Sequence, residues 1–216
     1  MRKLFFFTIS LLSGMMSYSQ SKAFNDVFEA CKLAQSSMSF VEGSKTEIKK
    51  AKELLTGAEW SPLILQPSDV KNETSIKNHM VFSPEFLTDV INDSVGVYRR
   101  AKEYAKELNA NQRGGSVKLC TKCIKAGKEV KYAIRHSGGE FNIATVAEVN
   151  GLINLTIDVK DAKGNKLKSY KINSDEFKGA PYRKIENIPI PKGNSLIYIT
   201  IENKFKKDKS VAIIVE

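Results

Sequence analysis

Residues 153–160 read Ile-Asn-Leu-Thr-Ile-Asp-Val-Lys, and this octapeptide decides the fold class of the C-terminal half. Every second side chain is aliphatic, and the side chains between them are polar. Because successive side chains of a β-strand point to opposite faces, the octapeptide predicts a strand with one buried and one solvated face. The segment that follows, 161–165 (DAKGN), is typical of a hairpin turn.

The same alternation recurs on both sides of this strand, from about residue 117 to the C-terminus. Short strands at regular spacing, separated by turns, are typical of an antiparallel sandwich or barrel. Residues 116–216 are therefore predicted to form a jelly-roll-like β-sandwich. Its eight predicted strands span 117–124, 130–135, 141–145, 153–160, 167–172, 183–190, 196–203 and 210–215.

The preceding region has helical periodicity. Residues 23–41 and 44–58 each place their apolar side chains on one face, and Gly43 between them predicts the turn of a helical hairpin. Two further helices are predicted, one opened by 83–85 (SPE) and one over about 95–109.

Two segments link these predicted elements. Residues 60–82 contain short apolar runs that fit either short strands or extended packing segments. The sequence NQRGG at 111–115 is the best candidate for a domain boundary. The predicted fold class is therefore α+β, with a helical region over 21–112 followed by the antiparallel β-sandwich over 116–216.

Residues 1–19 have the three parts of an export signal. A basic pair occupies 2–3, an apolar run covers 4–12, and a Ser-x-Ser pattern at 17–19 precedes the expected cleavage site. The apolar run is too short to span a membrane, which takes about 20 residues, and no other stretch is long enough. The pattern resembles the export signals common in Bacteroidota. It implies an exported protein of the periplasm, the outer membrane or the medium.

The composition is that of a globular protein with excess positive charge. Hydrophobic residues make up 42% of the 216 residues, and 34 Lys+Arg against 24 Asp+Glu give a formal net charge of +10. This apolar content excludes a disordered chain. The charge favours an anionic partner, such as an acidic glycan or an envelope component. Because the protein is expected to be exported, no nucleic-acid partner is expected.

Lysines cluster in the turn predicted between the last two strands. Lys204, Lys206 and Lys207 in this turn are predicted to contact an anionic ligand or a glycan, and Tyr170 and Tyr182 are predicted as exposed aromatics for stacking on a sugar. A purely solubilising role fits the same lysines, since Lys at hairpin ends discourages edge-to-edge pairing of strands.

Cys120 and Cys123 are the only closely spaced cysteines, and they lie in a predicted strand. Reactive pairs of this spacing open a helix, whose N-terminus lowers the thiol pKa, so a redox role is not favoured. Three alternatives stay open at this point. The thiols are free, Cys120 is bonded to Cys123, or Cys31 is bonded to one of the two.

The sequence contains no catalytic constellation, metal site or cofactor motif. The pattern Gly-x-Ser-x-Gly is absent, and His79 and His136 are far apart in sequence. His136 and Ser137 are adjacent, so they would point to opposite faces of a strand. The glycine pairs at 114–115 and 138–139 lack the Lys-Ser/Thr and the helix of a phosphate-binding loop. We therefore expect neither an enzyme nor a cofactor.

The region from about Ala126 to Glu216 resembles the pre-peptidase C-terminal domains, small β-sandwiches found beside secreted bacterial peptidases. The resemblance covers about 40% of the chain, and it implies an accessory binding or targeting role without any catalytic residue. The closing Tyr-rich strand of that family is replaced here by 210–215. The segments that carry the resemblance are 126–128 (AGK), 130–132 (VKY), 138–141 (GGEF), 155–161 (LTIDVKD) with Gly164, and 202–203 (EN).

The sequence therefore predicts an exported, non-catalytic binding or accessory protein of the bacterial envelope. Its sandwich is expected to contact a glycan, an envelope component or a protein partner. The alternative is a secreted hydrolase whose site lies between the helical region and the sandwich. Two acids, or a Ser-His pair, converging within about 3 Å of a common point there would favour the alternative.

Overall fold

The computed structural model describes residues 21–39, 44–63, 65–67, 73–74, 116–148, 153–172, 179–193 and 195–216. The predicted signal sequence, the two helices predicted between 83 and 109, and the boundary predicted at 111–115 lie outside these residues. The described helices are α1 (Lys22–Ser39) and α2 (Ser44–Gly57). The described strands are β1 (Trp60–Pro62), β2 (Gln66–Pro67), β3 (Glu73–Thr74), β4 (Val117–Ile124), β5 (Glu129–His136), β6 (Gly139–Ala147), β7 (Ile153–Lys160), β8 (Lys166–Ile172), β9 (Tyr182–Ile190), β10 (Ser195–Asn203) and β11 (Lys209–Val215).

The two helices pack side by side as the predicted hairpin. The Ser21 hydroxyl accepts a hydrogen bond from the Phe24 N–H (3.1 Å) and so caps the start of α1. The Ser36 hydroxyl of α1 donates to the Glu47 carboxylate of α2 (3.1 Å). This bond ties the two helices together near their connection.

The eight longer strands, β4 to β11, correspond to the eight strands predicted from the sequence, and they form a jelly roll. Sheet A contains β4, β11, β6 and β9 in that order, and sheet B contains β5, β10, β7 and β8. All pairings among these eight strands are antiparallel. Successive strands change sheet except at the β7–β8 hairpin. The predicted α+β class and jelly-roll-like sandwich are confirmed.

The β7–β8 hairpin owes its turn to Asp161. Its Oδ1 accepts hydrogen bonds from the N–H groups of Lys163 (2.9 Å) and Asn165 (2.8 Å). An Asp side chain that bonds the backbone two and four residues on holds a turn without help from the rest of the fold. The predicted turn at 161–165 is thereby explained.

The described part of the chain between α2 and β4 adds three short strands to the sandwich. β1 pairs in parallel with β4, β3 pairs with β4 in antiparallel orientation, and β2 extends sheet B beside β5. The Trp60 indole N–H donates to the carbonyl of Leu55 in α2 (2.9 Å). The described part of this segment therefore joins the helical hairpin to both sheets through short edge strands at 60–62, 66–67 and 73–74, while the apolar run predicted at 80–82 lies outside the described residues.

One apolar core fills the space between the two sheets. Alternate side chains of each strand face it, as the period of two requires. The large side chains of this core include Leu65, Ile124, Val130, Tyr132, Phe141, Ile143, Ile153, Leu155, Ile157, Val159, Ile188, Ile197, Ile199, Ile201, Val211 and Ile213.

A second apolar cluster lies on the opposite face of sheet A, where the hairpin covers the sheet. The sheet contributes Val117, Leu119, Ala144, Val146, Ala212 and Ile214, and the helices contribute mainly Phe24, Val27, Phe28, Cys31, Ala34, Ala51 and Leu55. Each large side chain removed from water here contributes about 1.5–3 kcal/mol. The described part of the protein thus has three layers, which are the helical hairpin, sheet A and sheet B.

Candidate functional site

The helices pack on sheet A, and among the described elements no comparable layer packs on the far side of sheet B. On the central strand β10, buried side chains alternate with partly exposed ones that point away from the core. We call the outward-pointing side chains of this sheet the outer face of sheet B. They are Glu129, Lys131, Ala133 and Arg135 on β5, Leu196, Tyr198, Thr200 and Glu202 on β10, Asn154, Thr156, Asp158 and Lys160 on β7, and Lys166, Ser169 and Lys171 on β8.

Tyr198 stands at the centre of the outer face of sheet B. It pairs with Ala133 on one neighbouring strand and with Asp158 on the other. The Nζ atoms of Lys131 and Lys160 lie 4.9 Å and 4.7 Å from the centroid of the tyrosine ring. A cation–π contact at a partly exposed site contributes about 0.5–1 kcal/mol. Two ammonium groups from the flanking strands therefore hold the ring on the sheet surface.

Asp158 supplies a fixed carboxylate beside Tyr198. Its Oδ1 accepts a hydrogen bond from the Ser169 hydroxyl (2.6 Å) and lies 2.7 Å from the Lys166 Nζ. Partial burial alone would raise the pKa of Asp158, but these two bonds and the charges of Lys166 and Lys131 outweigh it and lower the pKa. The carboxylate is therefore ionised at neutral pH, and it serves as an acceptor rather than as an acid catalyst.

Positive charge predominates on the outer face of sheet B. Five cationic side chains stand among three carboxylates, and one of those carboxylates, Asp158, is already paired with Lys166. The cations are Lys131, Arg135, Lys160, Lys166 and Lys171, and the acids are Glu129, Asp158 and Glu202. This balance favours a ligand that carries acidic groups.

Tyr170 and Tyr182, the aromatics predicted to stack on a sugar, do not lie on the outer face of sheet B. Tyr170 is opposite Ile157, packs against the core between the sheets and has a buried hydroxyl. Tyr182 packs edge-on against Phe28 of α1, with 5.9 Å between the ring centroids. The Lys32 Nζ lies 5.0 Å from the centroid of the Tyr182 ring. The sequence prediction is corrected here, because strand alternation turns both rings towards packed layers.

Lys204, Lys206 and Lys207 are exposed in the loop between β10 and β11. Lys204 is partly neutralised, since its Nζ lies 3.7 Å from a carboxylate oxygen of Glu202. The three lysines share a loop, whereas the two tyrosines lie in the core and in the helix–sheet contact. The five residues predicted to contact a ligand therefore occupy three separate places.

All three cysteines of the sequence lie in the described part of the chain, and all three are free. Cys120 packs against the core between the sheets. Cys123 is three residues further along the same extended strand, so it points to the opposite face of sheet A. The alternative in which Cys120 is bonded to Cys123 is therefore wrong. Cys31 is fully buried in the cluster between hairpin and sheet, and this burial raises the pKa of its thiol above the ordinary range.

His136 has a structural role at the end of β5. Its Nδ1 accepts a hydrogen bond from the Gly138 N–H (3.1 Å), and its ring packs edge-on against Phe141. Burial and the nearby charge of Lys118 lower its pKa, so the imidazole is neutral at pH 7. His79 lies outside the described residues. Within the described residues, no group of three or more metal-binding side chains comes together.

The contact between the hairpin and sheet A is where the alternative prediction placed a hydrolytic site. Its described side chains are mostly apolar. One group of polar contacts lies on β9, where the Lys184 Nζ donates to the Asn25 side-chain Oδ1 (3.0 Å), pairs with Glu186 and lies 5.5 Å from the ring centroid of Phe24. The polar contacts in the described part of the helical layer and its contact with sheet A include Lys184 with Glu186, Lys32 over the Tyr182 ring, and the Ser36–Glu47 hydrogen bond, and none of these is an acid pair or a Ser-His pair.

Arg183 is the largest fully buried side chain in the described part of the chain. Its Nη1 donates to the carbonyls of Ala180 and Tyr182, both at 2.6 Å. These bonds satisfy two backbone carbonyls, one just before β9 and one at its first residue. They explain why an arginine follows the loop at this point, and they assign it a structural role.

Tyr198 is absent from the residues predicted to contact a ligand, although the sequence carries a signal for it. Ile197 and Ile199 alternate with polar residues and so face the core. A large aromatic between them must face away from the core. Lysines at 131 and 160 occupy the corresponding outward positions of the neighbouring strands, but the register that brings them to Tyr198 cannot be read from a single sequence.

No protein-family model matches the chain, and no curated protein sequence matches it. The resemblance to pre-peptidase C-terminal domains thus has no family match behind it. No described helix combines the length and the apolar character needed to cross a membrane.

Solved structures similar to this chain include two carbohydrate-binding modules. TmCBM61, determined with β-1,4-galactotriose, is 12% identical, with a TM-score of 0.29, over 47% of this chain and 81% of the module. CBM36, determined with calcium and xylotriose, is 10% identical, with a TM-score of 0.29, over 44% of this chain and 77% of the module. The Yersinia pseudotuberculosis-derived mitogen is 15% identical, with a TM-score of 0.28, over 46% of this chain and 84% of the mitogen. At these TM-scores, function has to be argued from the residues of this chain.

Proposed function

We propose that this protein is a non-catalytic binding protein and that the outer face of sheet B contacts a glycan. The observation that carries the proposal is Tyr198, a tyrosine ring held by two lysines at the centre of a partly exposed sheet face. The ring adds nothing to the core between the sheets, which Ile197 and Ile199 fill from the same strand. Its position therefore suits contact with a molecule outside the fold.

The side chains around Tyr198 match the chemistry of a sugar. An aromatic ring offers a flat apolar surface to the C–H groups of a pyranose, and hydroxyl and carboxylate side chains nearby can bond its hydroxyls. Asp158 stands directly opposite Tyr198 and pairs in turn with Ser169. Thr200 lies two residues further along β10, opposite Thr156. A few polar groups around an aromatic platform are typical of ligand sites.

The two lysines on the ring extend this chemistry to acidic sugars. The Nζ atoms of Lys131 and Lys160 carry charge over the ring, where a carboxylate or sulfate of a bound sugar would meet them. Charge-assisted hydrogen bonds are about twice as strong as neutral ones. We therefore expect acidic glycans to bind more tightly than neutral glycans of the same backbone.

The test is binding of the purified protein to polysaccharides by affinity gel electrophoresis, with polygalacturonate as the acidic probe and β-1,4-galactan as the neutral one. Tyr198→Ala is expected to weaken binding at least tenfold, because the platform is removed. Tyr198→Phe is the matched control and is expected to bind within about twofold of the native protein, since it keeps the ring. Equal binding by Tyr198→Ala, or no binding of the native protein to either probe, contradicts the proposal.

We also propose that the protein is exported. The proposal rests on the basic, apolar and Ser-x-Ser parts of residues 1–19. Expression with these residues should give a secreted or periplasmic protein whose N-terminus is Gln20, as read by mass spectrometry. A full-length protein that stays in the cytoplasm contradicts it.

A further inference from the structure

Two loops meet at one end of the sandwich and carry exposed lysines. One loop joins β4 to β5, and the other joins β10 to β11. The Gly127 N–H of the first loop donates to the Phe205 carbonyl of the second (3.0 Å), and the Ala126 N–H donates to the Asp208 carboxylate (2.8 Å). Because these bonds cross from one loop to the other, the loops form one surface.

Asn203 fixes this surface from beneath. Its side chain is fully buried, and its Nδ2 donates to the carbonyls of Ile124 (2.9 Å), Lys125 (3.3 Å) and Lys207 (2.9 Å). Its Oδ1 accepts from the Phe205 N–H (2.9 Å). One amide thus bonds both loops, so the lysines on them are presented from a fixed backbone.

Four exposed lysines of these loops form what we call the basic end: Lys125, Lys128, Lys206 and Lys207. In the described part of the chain, none of the four has an ion pair. The other two lysines of the second loop differ, since the Lys204 Nζ lies 3.7 Å from Glu202 and the Lys209 Nζ lies 3.5 Å from Glu148.

The acids near the basic end are mostly engaged within the protein. Asp208 accepts the Ala126 N–H, Glu148 accepts the Ser210 N–H, and Glu202 accepts from the Asn154 amide. Two further described acids lie beside the basic end: Glu129 at the start of β5, and Glu73, which pairs with Ile124 next to Lys125. On the two loops themselves, five lysines stand against one acid, Asp208, so positive charge predominates there.

We propose that the basic end attaches the protein to the surface of a membrane that contains anionic phospholipids. The cations are all lysines, which act as point charges and suit diffuse surface charge, whereas specific recognition of a single phosphate or carboxylate typically uses the fork of Arg. The Asn203 side chain already bonds three backbone carbonyls and one backbone N–H of the two loops, so these groups are not available to a ligand. The one aromatic on the second loop, Phe205, is half-buried, with the Lys209 Nζ 5.3 Å from its ring centroid. A diffuse anionic surface fits these features better than a sugar does.

Attachment by the basic end is compatible with ligand binding at Tyr198. The basic end lies beyond Glu129 and Asn203, at one end of the strands of sheet B, whereas Tyr198 lies five residues before Asn203 on β10. At about 3.3 Å per residue, this separation along the strand is roughly 16 Å. The membrane contact and the glycan contact are therefore different surfaces, and either can fail without the other.

The test is co-sedimentation of the purified protein with two kinds of vesicle, one of phosphatidylcholine alone and one of phosphatidylcholine with about 30% phosphatidylglycerol. The anionic lipid gives the second kind a negative surface potential like that of a biological membrane. Each lysine near such a surface strengthens attachment roughly fivefold. The variant Lys125→Ala, Lys128→Ala, Lys206→Ala and Lys207→Ala is therefore expected to bind the anionic vesicles at least a hundredfold more weakly. Salt at about 0.5 M is expected to release the native protein, since it screens the charges.

The matched control is Lys192→Ala, which removes an exposed lysine from the loop between β9 and β10, at the opposite end of sheet B. It is expected to bind the anionic vesicles within about twofold of the native protein, because a lysine far from the membrane contributes little once the charges are screened. Thermal unfolding of the fourfold variant checks that it is folded. Equal binding to both kinds of vesicle, no binding to the anionic vesicles, or unchanged binding by the fourfold variant each overturns the proposal.

Discussion

The two outer faces of the sandwich are both formed by antiparallel strands, but they differ in what covers them. The outer face of sheet A carries Ala144, Val146, Ala212 and Ile214 at its centre, and the helical hairpin covers it. The outer face of sheet B carries threonines, lysines and Tyr198, and no described layer covers it. In the described part of the chain, one face is covered by packing and the other is uncovered.

The central strands of the two sheets record this difference in their sequences. β11 reads KSVAIIV, and every residue after its first is buried. β10 reads SLIYITIEN, and its buried residues alternate strictly with partly exposed ones. A strand that is apolar at every position must be covered on both faces, whereas a strand with alternating polarity keeps one face in water. The position of the helical layer is therefore encoded in β11.

The largest difference in the free energy of unfolding between variants of the two faces is expected when a charge is buried. Ile214→Asp places a carboxylate under the helical hairpin and is expected to lower the free energy of unfolding by at least about 4 kcal/mol. Thr200→Asp, on the outer face of sheet B, is expected to change it by less than about 1 kcal/mol. Urea unfolding, followed by the fluorescence of the single tryptophan, Trp60, measures both. Similar losses for the two variants would mean that sheet B is covered as well.

A smaller effect is expected from added volume. Ala212→Leu inserts three carbon atoms between sheet A and the hairpin, and overpacking there is expected to cost about 1–3 kcal/mol of unfolding free energy. Ala133→Leu adds the same atoms beside Tyr198 and is expected to stay within about 0.5 kcal/mol of the native protein. The same urea titration compares them. A neutral Ala212→Leu would show that the hairpin does not pack closely on β11.

Thiol labelling tests the closure of sheet A without any mutation. Cys31 lies under the hairpin with its pKa raised by burial, so it stays protonated and inaccessible and should resist iodoacetamide in the native protein at pH 8. In denaturant without a reductant, all three cysteines should react, since all three are free. Mass spectrometry of the labelled peptides reads both results. Labelling of native Cys31 would contradict the packing, and two thiols that need a reductant would indicate a disulfide.

The smallest expected effect is the titration of Asp158. Its folded-state pKa is lowered, so its stabilising contribution is present above the unfolded value of about 3.9 and is lost as the pH falls through the folded value. The pair with Lys166 is partly exposed, so we expect a contribution of no more than about 0.5 kcal/mol. Comparing the native protein with Asp158→Asn by unfolding at pH 7 and pH 3 measures it. A larger loss of stability in Asp158→Asn at pH 3 than at pH 7 would reverse the expected sign.

The fold was largely predictable from sequence because it follows from side-chain periods. The alternation in 153–160 and the turn at 161–165 depend only on neighbouring residues, and both are found as predicted. The jelly roll follows from the number and spacing of such strands. The short strands β1 and β2 were not decided, since a strand of two or three residues has too few side chains to establish a period.

The candidate site was predicted less well because it depends on register. Tyr170, Tyr182 and Tyr198 all lie in strands. The sequence of each strand shows which residues share a face with the tyrosine, but it does not show what covers that face. Which layer packs against each face is set by contacts distant in sequence, such as that of Tyr182 with Phe28. The lysine loop was recognised because its residues are consecutive. Its connection through Asn203 to Lys125 and Lys128 joins residues about 80 positions apart, and no local pattern reveals it.

The most direct test of the difference between the faces is hydroxyl-radical footprinting of the native protein, read by mass spectrometry for single residues. Leu196 and Tyr198, on the outer face of sheet B, are expected to be oxidised readily, whereas Phe24 and Ile214, between the hairpin and sheet A, are expected to be protected. Addition of a polysaccharide that binds should protect Tyr198 and leave Phe24 and Ile214 unchanged. Protection of Tyr198 to the same degree as Ile214 in the protein alone would contradict the account, since the proposed binding face would then be closed.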